Sequence, residues 1–407
     1  MPFTTVPTGA PAPSGGDRLM SLDALRGFDM FWIAGGGLMV AALDRWTSLP
    51  VFAGLRRQLT HVAWEGFRFY DLIFPLFIFM VGAAISFSVP RSLATSGHRA
   101  TVRRILVRGV VLFAIGLFYS GGLSTEWPDI RLLGVLNRIA LCYTATALLF
   151  LAFGKRIRIL IAVTVGLLLG YWALMALVPI RDIRLDAAAL APRMEALGET
   201  NVAVLFAAET GRVRGRFEPG YNLANHVDFQ WLPGRLYDTY FDPEGLLSTL
   251  PAVATCLLGL FAGLWLQSGR GTPSRRSRDL VVAGVLAILV GHGWGVLFPV
   301  IKKLWTSSYV LVAGGYSLVL LGLFHQVVDV WGWRRWCQPF VWVGANALTI
   351  YLAAQILNFK RLAERLAGAP VRSLFGEAGD TVIALIAVFL LFGFARFLYR
   401  RRLFLRV

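Results

Sequence analysis

The chain has 407 residues, 57% of them hydrophobic and only 15% charged, with a mean hydropathy of +0.63. That composition excludes an ordinary soluble domain of this length and points to an all-α integral membrane protein. A formal net charge of +17 would suit a nucleic-acid binder, but the basic residues cluster in short segments between apolar runs, where membrane topology explains them and no nucleic-acid partner is needed.

Residues 1–17 are rich in Pro, Gly, Thr and Ser. They lack the basic-then-apolar pattern of a signal peptide and read as a disordered cytoplasmic tail ahead of one membrane domain, 18–407. A spanning helix needs about 20 mainly apolar residues, and ten segments meet that test: 24–43, 71–90, 104–122, 132–153, 158–179, 246–267, 280–299, 308–328, 340–358 and 381–399. The fold expected is a polytopic bundle of about ten transmembrane helices. Arginines gather after the even-numbered spans, as in Arg99, Arg103, Arg275, Arg276, Arg334 and Arg401, which places both termini in the cytoplasm. Lys302, Lys303 and Lys360 run against that pattern. Residues 44–70 and 180–245 then lie outside, in the periplasm of a bacterial inner membrane, and the aromatic-rich segment 180–245 should form a loop cap there. Cys142, Cys256 and Cys337 are scattered through apolar segments and offer neither a disulfide framework nor a zinc site. No metal is expected.

Polar residues inside apolar runs need a reason, because a charge at a helix centre costs about 2.5–3.5 kcal/mol on insertion scales. Arg138 is one such charge, and Asp71, at the mouth of the second span, is placed to pair with it. That pair would serve a site or pin two helices together. Ser21, Asp23, Arg26 and Asp29 open the first span. Ser21 and Asp23 could cap it, whereas Asp29, two turns deeper, suggests a charged face along a polar cavity. Of the histidines, His98 reads as an incidental residue of a basic loop, His226 as a solvated loop residue that could also contact a substrate, and His292 and His325 as satisfied interior histidines in preference to metal ligands. His61 differs, because Trp64 and Glu65 follow at i+3 and i+4 and would share its face if the segment is helical. An imidazole beside a carboxylate is equipped to take and return a proton near neutral pH.

At these residues the chain resembles the heparan-alpha-glucosaminide N-acetyltransferase family of transmembrane acyltransferases. The motifs are Ser21-x-Asp23-x-x-Arg26-Gly27; His61-x-x-Trp64-x-Gly66 with Asp71, Phe74-Pro75, Phe77, Phe79 and Gly82; Gly134-Val135-Leu136 with Arg138 and Tyr143; Asp242-Pro243-Glu244-Gly245; Leu304-Trp305 with Ser308-Tyr309-Val310; and Gly344-x-Asn346 with Tyr351. The resemblance implies transfer of an acetyl group from cytoplasmic acetyl-CoA to an extracytoplasmic amino sugar or envelope glycan. It implies His61 as general base or acyl-accepting nucleophile, Asp71 or Glu65 orienting the imidazole, and Asp23, Arg26, Asp29, Arg138 and Asn346 on the donor side. Trp64, Asp242 and Glu244 would contact the acceptor. It also implies a homodimer in contact with membrane lipid. One departure stands out: the family's lysosomal members carry an asparagine two residues before the glycine triplet, where this chain has Ile33 before Gly35-Gly36-Gly37. A different class also fits the composition, a carrier for a small polar or anionic solute that uses the intramembrane Asp and Arg residues.

Overall fold

The computed structural model describes residues 19–405 apart from Thr125 and Lys155, so the expected tail at 1–17 lies outside the described residues. Among the described residues eight helices are long and apolar enough to cross a membrane, and two short helices bent by 82° pass the same test together and count as one span. In chain order these are α1 (Met20–Thr47), α2 (Phe69–Tyr119), α3 (Val135–Phe153), α4 (Ile157–Leu177), α5 (Thr249–Gln267), α6 (Pro273–Gly295), α7 (Ser307–Val330) and the bent α8 (Gln338–Ala345 with Ala347–Ile356). An amphipathic α9 (Phe359–Phe375) then leads into α10 (Gly379–Arg400).

At 1.5 Å per residue a straight α2 would run about 76 Å, more than twice the hydrocarbon thickness. It is not straight. Gly97 takes φ 76°, open to glycine without strain, and Ser92 Oγ lies 3.0 Å from Thr101 Oγ1 and 3.0 Å from Arg104 Nη1. A straight helix would hold Ser92 and Thr101 about 13 Å apart, so α2 is two crossings folded back at Gly97. Counting its arms separately gives the ten crossings read from hydropathy, with both described ends of the chain on one face of the bundle, the terminal face.

Two pairs of glycines let helices touch backbone to backbone. A Cβ on Gly82 of α2 would stand 1.8 Å from the carbonyl oxygen of Cys256 in α5, and one on Gly259 of α5 would stand 1.8 Å from that of Phe79. Gly27 of α1 and Gly344 of α8 meet in the same way, at 1.7 Å from Phe340 O and 1.9 Å from Asp23 O. Such crossings of small residues suit association in lipid, where close packing replaces the hydrophobic drive. The start of α1 corrects one expectation. Its free Met20 and Ser21 amides donate to the Asp329 carboxylate at 3.2 and 3.3 Å, and Leu19, with no side-chain bond, holds the cap position. The end of α7 delivers a carboxylate to those amides, whereas Ser21 lies within the helix.

On the opposite face, 180–245 folds as a cap. It holds a two-stranded antiparallel pair, β1 (Ile180–Arg181) with β2 (Arg212–Val213), and short helices at Ala187–Leu197, Val202–Ala208 and Leu223–Trp231. Ile183, Leu185, Leu190, Leu205 and Phe206 form its own core. His226 is not solvated. It is buried beneath this core with Nε2 3.0 Å from Ile183 O, and burial pushes its pKa down to about 4. The cap folds over a residue that composition alone left in solvent.

Gly82→Ala should therefore lower stability by about 1–3 kcal/mol or more, read as an earlier thermal unfolding midpoint in detergent. Gly170→Ala, at a position of α4 with open space around it, should leave the midpoint within experimental error.

Candidate active site

The segment 61–68, between the helix Pro50–Gln58 and α2, is not helical. It runs beside 300–301, where Glu65 bridges Ile301 and Gly66 N–H donates to Val300 O at 2.9 Å, and Gly66 takes φ 119°. His61, Trp64 and Glu65 therefore do not share a helical face, which overturns that expectation. Glu65 is exposed and lines a crevice with Phe217, Glu218 and Pro299. Trp64 donates through Nε1 to Phe217 O at 2.8 Å and sets its ring edge-on to Phe241, tying the segment to the cap.

The carboxylate that meets His61 is Asp71, in the first turn of α2. Its Oδ1 lies 2.7 Å from His61 Nδ1, while Oδ2 accepts the Arg68 N–H at 3.1 Å, capping the helix, and the Val62 N–H at 3.4 Å. The Asp71 side chain is 0% exposed and the imidazole 50%, so a buried charge holds a ring open to the opposite face. A carboxylate at that distance takes the Nδ1 proton in its hydrogen bond and leaves the Nε2 lone pair as the base. Tyr309 OH donates to the Asp71 carbonyl at 2.7 Å, and the Tyr70 ring centre lies 4.7 Å from that of the imidazole.

A third polar group, Lys302 from the loop between α6 and α7, was not among the candidates. Its Nζ stands 3.0 Å from His61 Nδ1, 3.2 Å from Nε2 and 3.7 Å from Asp71 Oδ1. Burial pushes its pKa down, against the pull of the Asp71 and Glu244 carboxylates. The one sequence signal was that Lys302 and Lys303 broke the positive-inside pattern.

Arg138 does not pair with Asp71. It is fully buried, donates to Gly245 O at 3.3 Å and to Ser248 Oγ, and lies over the Trp305 ring at 5.0 Å. The Asp242-Pro243-Glu244-Gly245 turn presents its carbonyl where the pairing with Asp71 was expected. Within that turn Asp242 is spent on Arg131, at 2.8 and 2.7 Å, which also binds Glu244 at 2.6 Å. Glu244 nonetheless lines the cavity of His61. Asp228 anchors the turn by accepting the Leu246 N–H at 2.9 Å and the Asp242 N–H at 3.4 Å.

Two cavities lie back to back in the bundle. One of about 210 Å³ is lined by His61, Tyr70, Glu244, Lys302, Tyr351 and apolar side chains including Met30 and Ile33. The other, about 230 Å³, reaches toward the terminal face and includes Arg26, Ser88, Arg108, Tyr143, Asn346 and Leu405. Arg26 bonds Asp23 at 3.4 Å. Asn346 stands at the bend of α8, buried, and neither of its amide atoms has a hydrogen-bond partner among the described residues. Asp29 lies between Arg26 and Met30 on α1, fully buried, with both carboxylate oxygens in the same condition. His325 is satisfied by Ser277 at 2.7 Å, and His292 is exposed. The three cysteines are free and buried. Among the described residues no group of three or more His, Cys, Asp or Glu could hold a metal ion.

Fold and site together define a polytopic helical membrane protein with a histidine–carboxylate–lysine cluster at the mouth of an intramembrane cavity. Residues 18–192 match the family described as heparan-alpha-glucosaminide N-acetyltransferase, catalytic. The heparan-alpha-glucosaminide N-acetyltransferases of Homo sapiens and Mus musculus are 26% and 25% identical to the chain over 341 and 327 residues, covering 73% of it. The chain spans about half the length of these curated relatives, 49% in each case. The matched residues include His61, Asp71 and Arg138, and over them the chain is similar to the heparan-alpha-glucosaminide N-acetyltransferases, the resemblance that its motifs carry.

The Asp228 carboxyl gives a testable pH signature. Burial pushes its pKa up to about 7, so the folded state holds its proton where the unfolded chain, near the ordinary value of about 3.9, has released it. Its contribution to stability is fully present below pH ~4 and is lost as pH rises toward ~7, by up to about 1.4 kcal/mol per pH unit. Asp228→Asn should remove that slope from the unfolding midpoint measured against pH, flattening the profile between pH ~4 and ~7 relative to wild type.

Proposed function

We propose that the chain is a transmembrane acetyltransferase that takes an acetyl group from acetyl-CoA at the terminal, cytoplasmic face and delivers it to an amino sugar or envelope glycan at the opposite face. The observation that supports this reading best is the pair of adjoining cavities, one reaching toward the terminal face and the other ending at His61. Acetyl-CoA is a substrate here. Its phosphates would lie near Arg26 and Arg108, and its pantetheine arm would lead inward, where the unpartnered Asn346 amide would donate to a pantetheine amide carbonyl on the way to His61.

In direct transfer, His61 Nε2 accepts the proton of the acceptor amine or hydroxyl as that group attacks the carbonyl carbon. A tetrahedral intermediate forms, the C–S bond breaks, and the imidazolium returns the proton to the departing thiolate. In the two-step alternative, Nε2 itself attacks the carbonyl carbon and CoA leaves as its thiolate; the acceptor then attacks the acetyl-imidazole, the Nε2–C bond breaks, and the acceptor's proton passes to the freed imidazole. In both, Asp71 stabilises the positive imidazole and the Lys302 ammonium faces the developing oxyanion. The acceptor would arrive over the exposed side of the imidazole, past Tyr70 and Glu244. One observation favours the carrier reading: α8 is a broken helix, a feature of transporters. Turnover separates the two.

Purified full-length chain in detergent, given acetyl-CoA and glucosamine, should release free CoA in an acceptor-dependent way. His61→Ala should lower that rate by about 10²–10⁴-fold and Lys302→Met by about 10²–10³-fold, with acetyl-CoA still bound in both. Wild-type protein that neither binds nor turns over acetyl-CoA would overturn the donor assignment and bring the carrier forward.

A further inference from the structure

Basic residues on the face opposite the termini run against the positive-inside pattern. Lys302 stands at His61 and Lys303 bonds Asp238 at 2.8 Å. Lys360 and Arg56 do neither, and both line a third cavity, of about 490 Å³. That cavity shares Ile33, Tyr70 and Tyr351 with the cavity of His61. The two therefore adjoin beside the imidazole, whose ring the Tyr70 ring approaches to 4.7 Å.

The lining of this third cavity suits an anion. Arg56 comes from the helix Pro50–Gln58, Lys360 from the first turn of α9, and Gln355 and Asn358 from the junction of α8 with α9. Trp32 adds a ring from the π-helical turn Trp32–Gly36 of α1, a kind of turn that recurs at functional sites, and its indole N–H is buried without a hydrogen-bond partner among the described residues. Among the described residues no acidic side chain lines the cavity. Arg56 does bond Asp44 at 2.9 Å and Lys360 bonds Glu364 at 3.6 Å, but both cations are about half exposed, and such solvated pairs contribute little and rearrange readily.

No described residue of the cap at 180–245 lines the cavity. The helices that frame it, Pro50–Gln58 and the amphipathic α9, expose Val51, Leu55, Leu362 and Leu366 beside their cations, the pattern of helices that lie in a membrane interface. Leu38 in its wall is exposed too, as are Ile356 and Leu357 next to Gln355 and Asn358. The opening therefore meets the lipid leaflet on that side of the bundle and not the cap. We infer that this cavity receives the phosphate-type anion of an acceptor carried on a lipid of that leaflet, with the amino sugar reaching past Tyr70 and Tyr351 to His61. This rests on the acyl-transfer reading above and deepens it by assigning how the acceptor is presented.

The test measures kcat/KM with saturating acetyl-CoA in dodecyl maltoside for two acceptors with one tail, dodecyl glucosaminide and glucosamine joined to dodecyl through a phosphodiester, and for glucosamine without a tail. Full-length wild type, Arg56→Gln, Lys360→Gln and the double variant are compared, with unfolding midpoints alongside. Within the tailed pair, where partition into micelles is matched, the phosphate should raise kcat/KM about tenfold or more in wild type. Each single variant should lose part of that ratio and the double variant should bring it within about twofold of one, with glucosamine used as well as by wild type within about twofold. Dodecyl phosphate should inhibit wild type at concentrations at least about tenfold below those at which inorganic phosphate does, and the double variant should lose that difference. If the double variant does not fold, the single variants carry the same expectation with smaller shifts. A tailed-pair ratio within about twofold of one in wild type, or one that survives in every folded variant, leaves the two cations as interfacial anchors and overturns the inference. Inorganic phosphate that inhibits as well as dodecyl phosphate overturns the lipid source and with it the proposal. In each of these cases CoA release to glucosamine keeps the acyl-transfer reading standing, whereas a wild type that releases no CoA to any acceptor overturns both.

Discussion

The hydrogen bond between Asp71 and His61 fixes much else in the site, because one buried aspartate, through its carboxylate and its backbone carbonyl, serves three structures. Its Oδ1 holds the imidazole, and its Oδ2 satisfies the first free amide of the longest helix. Its backbone carbonyl takes the Tyr309 hydroxyl from α7. A carboxylate in a dry environment is costly unless all its lone pairs are met, and here helix capping and imidazole binding meet them together. Removing either partner would leave a buried charge half satisfied. The position of the imidazole is thus set by the start of α2 rather than by the loop that carries it.

The second constraint is the ionic turn at 242–245. Arg131, ahead of α3, clamps Asp242 and Glu244, Arg138 reaches its Gly245 carbonyl from within α3, and Asp228 holds its amides from the cap. These bonds join cap, α3 and the start of α5 into one unit around the cavity mouth, while the glycine crossings do the same work within the bundle. The result is a stiff frame around two cavities with one broken helix, α8, at their junction. A site that must exclude water while passing a small group between compartments has use for such a frame.

Much of the fold was legible from hydropathy. The ten crossings, the reversal near the arginines of 91–104, the cap and the buried thiols follow from where apolar runs begin and end. The crossing near 340–358 was legible as a span but not as a bent one, since Asn346 is an acceptable helix residue locally and only tertiary packing bends the chain there. The pairing of His61 with Asp71 could be suspected from their neighbourhood in the chain, but the supporting argument of a shared helical face with Glu65 was wrong. Extended pairing with 300–301 and a positive φ at Gly66 override the local spacing. Arg138 was expected to meet a carboxylate or an anion; its described partners are instead a carbonyl and a hydroxyl from a turn more than a hundred residues later, which sequence distance hid. Lys302 was visible only as an exception to the charge rule, because nothing local ties residue 302 to residue 61. His226 lay in a polar stretch whose short helices form their own small core, which composition does not reveal.

The central claim is that acetyl transfer crosses the bilayer through the two cavities. Its most direct test is sidedness in sealed proteoliposomes, with acetyl-CoA supplied only outside, glucosamine enclosed only inside, and acetylated sugar measured in the lumen after the vesicles are washed and opened. The account predicts acetylated sugar inside and free CoA outside from vesicles whose protein has its termini facing outward, and neither product with His61→Ala. Acetylation that occurs only when donor and acceptor share one side, or that survives loss of the imidazole, would contradict it.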